Sequence, residues 1–97
     1  MAYDSVLKAD DVDELFDAIL SLKTREECYR FFEDICTINE VRAIAQRMEV
    51  AKLLAEKKTY NEIEEATKAS TATISRINKC LVYGAGGYKI ALDRKKD

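Results

Sequence analysis

The sequence predicts an all-α protein of six helices, and three observations carry that prediction. Proline is absent and the three glycines all fall between Gly84 and Gly87, so nothing breaks the backbone before that point. Apolar residues recur at spacings of three and four, the period of one helical face. The pattern Thr-x-x-Glu, whose hydroxyl and carboxylate satisfy amides left free at a helix start, occurs at Thr24, Thr37 and Thr59.

Met1 to Ala9 lacks that periodicity apart from Tyr3, Val6 and Leu7 and reads as an arm that orders against another surface. A first helix begins at Asp10, carries Val12, Leu15, Phe16, Ile19, Leu20 and Leu22 on one face, and ends at Lys23. Its acids Asp10, Asp11, Asp13, Glu14 and Asp17 read as a solvated face near the start, where negative charge is favourable. Thr24 opens a second helix lined by Tyr29, Phe32, Ile35 and Cys36, with Phe31 beside them. Thr37 opens the longest, which runs to about Glu56 with Val41, Ile44, Ala45, Met48, Ala51, Leu54 and Ala55 toward one side.

Lys57 and Lys58 form the next turn, and Thr59 caps a short fourth helix with Tyr60, Ile63 and Ala66 as its apolar content. Lys68-Ala69-Ser70 is a tight turn in which Ser70 caps a fifth helix. That helix is two-faced: Ile74, Ile77 and Leu81 share one side, and Ala72, Ser75, Arg76 and Lys79 the other. The glycine-rich stretch from Gly84 to Gly87 breaks it, and a last helix runs from Tyr88 to about Arg94 before a frayed basic end.

Ninety-seven residues, 47% hydrophobic and 35% charged, suit one soluble all-helical domain spanning 1–97, with a helix-turn-helix at 59–82 inside it. A domain of this size buries a limited core, and a second subunit would help. Three cysteines without C-x-x-C spacing and the absence of histidine argue against zinc and for reduced thiols, so no metal site is expected. No membrane-spanning or leader-like stretch is evident, which makes the cytoplasm the expected address. Catalysis is the weakest reading, because the chain has no histidine, no glycine-rich phosphate loop and no nucleophile motif.

A helix that lies in a DNA major groove needs small polar or methyl-bearing side chains toward the bases and cations toward the phosphates. Thr71 to Lys79 meets that need: Thr71, Ala72 and Ser75 near base edges, and Thr73, Arg76 and Lys79 near the backbone, with Asn61 and Ser70 as flanking contacts. The net charge of -2 counts against a nucleic-acid partner, although Lys68 to Leu81 carries Lys68, Arg76 and Lys79 with no acid. Lys68 stands where such turns often carry glycine, Thr67 is polar where an apolar residue is usual, and Glu62, Glu64 and Glu65 make the fourth helix acidic. The competing reading is a helical protein-interaction module that binds no DNA.

The stretch Thr37 to Leu81 resembles the tryptophan repressor superfamily, and Asn78 to Tyr88 resembles its YerC/YecD subgroup. The most specific pieces are Ala72-Thr73-Ile74-Ser75-Arg76 and Thr59-Tyr60-Asn61-Glu62-Ile63. The resemblance implies a six-helix Trp repressor-like fold, an intertwined homodimer, and a repressor that reads a palindromic double-stranded DNA operator through two recognition helices. It also implies a small-molecule co-repressor, an amino acid, held by Thr37, Arg47, Arg76 and Cys80. Ile77 follows Arg76 where tryptophan-binding members have glycine, and its branched side chain would crowd an indole, so a different amino acid or biosynthetic metabolite is expected.

Overall fold

In the computed structural model, which describes residues 3–95, the helices start where their caps predict. They are α1 (Asp10–Leu20), α2 (Arg25–Ile35), α3 (Ile38–Ala55), α4 (Tyr60–Thr67), α5 (Thr71–Tyr83) and α6 (Gly87–Lys95), with no strand among the described residues. The chain divides into two compact units, Met1–Ile38 and Asn39–Asp97.

In the first unit, Ser5 organises a turn before α1, its Oγ accepting from Leu7 N at 3.0 Å and its carbonyl from Lys8 N at 3.2 Å. Met1 and Ala2 of the expected arm lie outside the described residues. α1 stops at Leu20, short of the expected Lys23, because Ser21 Oγ donates to Ala18 O at 2.6 Å and Leu22 N turns back to Ile19 O. Leu22 therefore continues the apolar spacing outside the helix. Thr24 Oγ1 accepts from Glu27 N at 3.1 Å, as a cap should. The Glu27 carboxylate accepts from Lys23 N at 2.8 Å, one residue before the amide that a capping box would use. Phe31 and Phe32 meet edge to face at 5.4 Å. No described residue of this unit is buried, and Tyr29 and Ile35 of α2 remain largely exposed.

The second unit holds the core. Val50 and Ala51 of α3, Ile63 of α4, Ala69 of the turn, Ile74 and Ile77 of α5 and Leu92 of α6 are buried together, with Met48, Leu53, Leu54, Tyr60, Leu81 and Tyr88 packed against them. Only the C-terminal half of α3 joins this core, while Ile44 and Ala45 nearer its start are exposed. α4 begins with a complete capping box, in which Thr59 Oγ1 accepts from Glu62 N and Glu62 Oε1 accepts from Thr59 N at 2.8 Å. Gly84 ends α5 under a tight constraint: its N–H donates to Cys80 O at 2.8 Å, and a Cβ there would lie 2.4 Å from that oxygen. α6 starts at Gly87 and runs through Arg94 to Lys95, past the expected end; Lys96 lies outside the described residues.

Candidate nucleic-acid interface

α4 and α5 are joined by three residues, Lys68, Ala69 and Ser70, and the local bonding explains the tightness of that turn. Ser70 Oγ accepts from Thr73 N at 3.2 Å and donates to Thr73 Oγ1 at 3.0 Å, so both hydroxyls shape the start of α5. On α5, Ile74 is 0% and Ile77 3% exposed, while Thr71, Ala72, Ser75, Arg76 and Lys79 are exposed and Thr73 is half-buried. Because residues three and four apart share a helical face, the exposed set forms one stripe opposite the buried isoleucines. Arg76 and Lys79 enter no ion pair among the described residues, which leaves both cations available to an external anion. Asn61 is exposed on α4.

The acids of α4 are also exposed, but one of them has a structural duty. The Thr59 backbone N–H, helped by the Thr59 hydroxyl and by Lys58, holds the Glu62 carboxyl below its ordinary 4.5, with a small loss of hydration opposing. Glu62 thus serves the start of its own helix.

Two residues that sequence reasoning did not single out as useful fix the turn. Thr67 Oγ1 donates to Ile63 O at 2.7 Å and accepts from Ala69 N at 3.2 Å. Gln46 of α3 donates through Nε2 to Thr67 O at 3.0 Å, tying the end of α4 to the long helix. A threonine at an otherwise apolar position was the visible signal for the first; nothing local signals the second, whose partner lies 21 residues away.

The residues expected to hold an effector are scattered in role. Arg47 is exposed on α3 and enters no ion pair among the described residues; Cys80 is an exposed free thiol on α5; Thr37 belongs to the first unit. An open groove of about 560 Å³ in the second unit is lined by Leu54, Leu81 and Leu92 together with lysines and the acids Glu56 and Asp93, and none of Thr37, Arg47, Arg76 and Cys80 lines it.

Residues 10–96 match the family described as Trp repressor protein. The chain belongs to that family. It is 58% identical over 91 residues to the uncharacterized protein YerC of Bacillus subtilis (strain 168), a match spanning 94% of this chain and 88% of that one. Among solved structures, a TrpR like protein from Eubacterium eligens superposes with a TM-score of 0.90 at 56% identity, covering 93% of each chain. A Trp repressor candidate from Staphylococcus aureus gives a TM-score of 0.89 at 50% identity, covering 93% of this chain and 90% of that one. The six helices are therefore a Trp repressor-like fold, and the family is one of DNA-binding regulators and not of enzymes. Among the described residues, no helix is long and apolar enough to cross a membrane.

Proposed function

We propose that this member of the Trp repressor family is a sequence-specific repressor that binds palindromic double-stranded DNA as an intertwined homodimer in the cytoplasm. The observation that carries the proposal is the split of α5: an exposed stripe whose two cations enter no ion pair among the described residues, anchored by isoleucines that are fully or nearly buried. In this reading residues 59–82 form the helix-turn-helix. Thr71, Ala72 and Ser75 face base edges, Thr73, Arg76 and Lys79 meet phosphates, and Asn61 and Ser70 flank them.

The homodimer is supported by what the chain leaves uncovered. Leu20, Tyr29, Ile35, Ile38 and Ile44 are each more than half exposed, and every described buried residue lies in the second unit. Such a chain gains most from a second copy that covers α1, α2 and the start of α3, which would make 1–97 one domain only in the assembled pair. A two-fold dimer also doubles the phosphate contacts and matches operator symmetry.

Effector control would run through Thr37, Arg47, Arg76 and Cys80. Ile77 packs into the core on the face of α5 away from Arg76, so the expectation of an amino acid or biosynthetic metabolite other than tryptophan rests on the resemblance and not on the packing of Ile77. The test is recovery of genomic duplex fragments on the purified protein, with sizing of the free protein alongside. A palindromic element near a biosynthetic operon and a dimeric mass are expected. Retention of fragments without any shared sequence would remove the repressor assignment, and a monomeric mass at micromolar concentration would remove the dimer.

A further inference from the structure

Lys68 carries a backbone conformation that its side chain does not favour. It closes α4 in the left-handed region, at φ 64° and ψ 12°, where glycine is the usual residue because a Cβ is penalised there. Such strain persists when the surroundings over-determine it, and here they do. Lys68 N donates to Glu64 O at 2.8 Å, Thr67 Oγ1 bridges Ile63 O and Ala69 N, and Gln46 holds Thr67 O. The residues on which this bonding closes, Ile63 and Ala69, are 0% and 3% exposed. The turn backbone is thus pinned to the core while the lysine itself is exposed. Although Glu64 and Glu65 lie close in sequence, Lys68 enters no ion pair among the described residues. Neither backbone preference nor an ion pair among the described residues accounts for a lysine at this position.

We propose that Lys68 is a DNA phosphate contact, a cation that the pinned turn presents immediately before α5. The inference rests on α5 being the DNA-facing helix and extends the interface onto the turn. Its ligand is a backbone phosphodiester, so Lys68 sets affinity and its salt dependence and leaves base preference untouched.

The experiment measures duplex binding of the full chain across a salt series, using a fragment recovered with the parent protein, for Lys68→Met, Lys68→Gly and Lys68→Arg. Each phosphate contact contributes about 0.9 to the slope of log affinity against log salt, so the Met and Gly variants should each lose about 0.9 per subunit, about 1.8 for the dimer, which is roughly thirtyfold in affinity at 0.15 M salt. Lys68→Arg should keep the parent slope. Lys68→Gly should melt no lower than the parent, since glycine accepts the left-handed backbone, which separates lost charge from lost fold. The ranking of mutated operators should be the same for all four proteins. Parent-like slopes in both the Met and Gly variants overturn the role of Lys68 and leave the α5 reading standing; a parent protein without duplex affinity overturns both.

Discussion

Ile74 and Ser75 are adjacent in sequence but lie on different faces of α5, one turned into the core and the other outward. Ile74 is 0% exposed within the core of the second unit, whereas Ser75 is exposed. Truncating Ile74 to alanine removes three carbons, at about 0.8 kcal/mol each for transfer, or about 2.4 kcal/mol. The void left behind adds to this, because neighbours such as Ile63 and Ile77 collapse only in part, and the total should reach about 3 to 4 kcal/mol. Ile74→Val should cost about 1 kcal/mol, and Ser75→Ala less than about 0.5 kcal/mol. Against a typical total stability of roughly 5 to 15 kcal/mol, the alanine variant loses between about a fifth and about four-fifths of the whole. Urea unfolding followed by circular dichroism, at one fixed protein concentration because self-association would shift the midpoint, reads these differences as changes in midpoint at constant slope. Equal losses at positions 74 and 75 would refute the assignment of faces on which the site is built.

Three further outcomes follow from the same geometry. Gly84→Ala would push a Cβ to 2.4 Å from Cys80 O and should cost on the order of 1 to 3 kcal/mol in thermal or urea unfolding, whereas Gly87→Ala, with nothing within 4 Å, should be neutral or slightly stabilising. Thr67→Val removes the hydroxyl that serves Ile63 O and Ala69 N and should cost about 1 kcal/mol, with a comparable loss for Gln46→Ala; no loss in either would mean that the turn is held by packing alone. The folded Glu62 carboxyl titrates below its ordinary 4.5, so its stabilising contribution is complete above that value and is lost as pH falls through the lower folded one. The parent should therefore exceed Glu62→Gln in stability at neutral pH and converge on it under acid, and a difference that widened on acidification would contradict this.

Much of this was legible because helix boundaries are written locally. Thr24, Thr59 and Ser70 cap the helices they were expected to cap, and the alternation of Ile74, Ile77 and Leu81 with Ser75, Arg76 and Lys79 gave the faces of α5 directly. The misplaced end of α1 has the opposite origin, since apolar spacing continues through Leu22 while Ser21 diverts the backbone hydrogen bonds. The Gln46 to Thr67 bond was invisible because it depends on the packing of α3 against the end of α4. Thr67 and Lys68, which looked like departures from a helix-turn-helix, prove to be a hydroxyl rivet and a strained exposed cation. The apolar faces of α1 and α2 were equally plain in sequence, but their spacing says nothing of what covers them.

The central claim, that the exposed stripe of α5 binds DNA, is tested most directly by the salt dependence of duplex binding by the parent and by an Arg76→Ala, Lys79→Ala double variant. At about 0.9 per phosphate contact, the variant should lose about 1.8 from the slope per subunit while its unfolding free energy stays within about 0.5 kcal/mol of the parent. A double variant that binds the same duplex with the parent's affinity and the parent's slope would contradict the account.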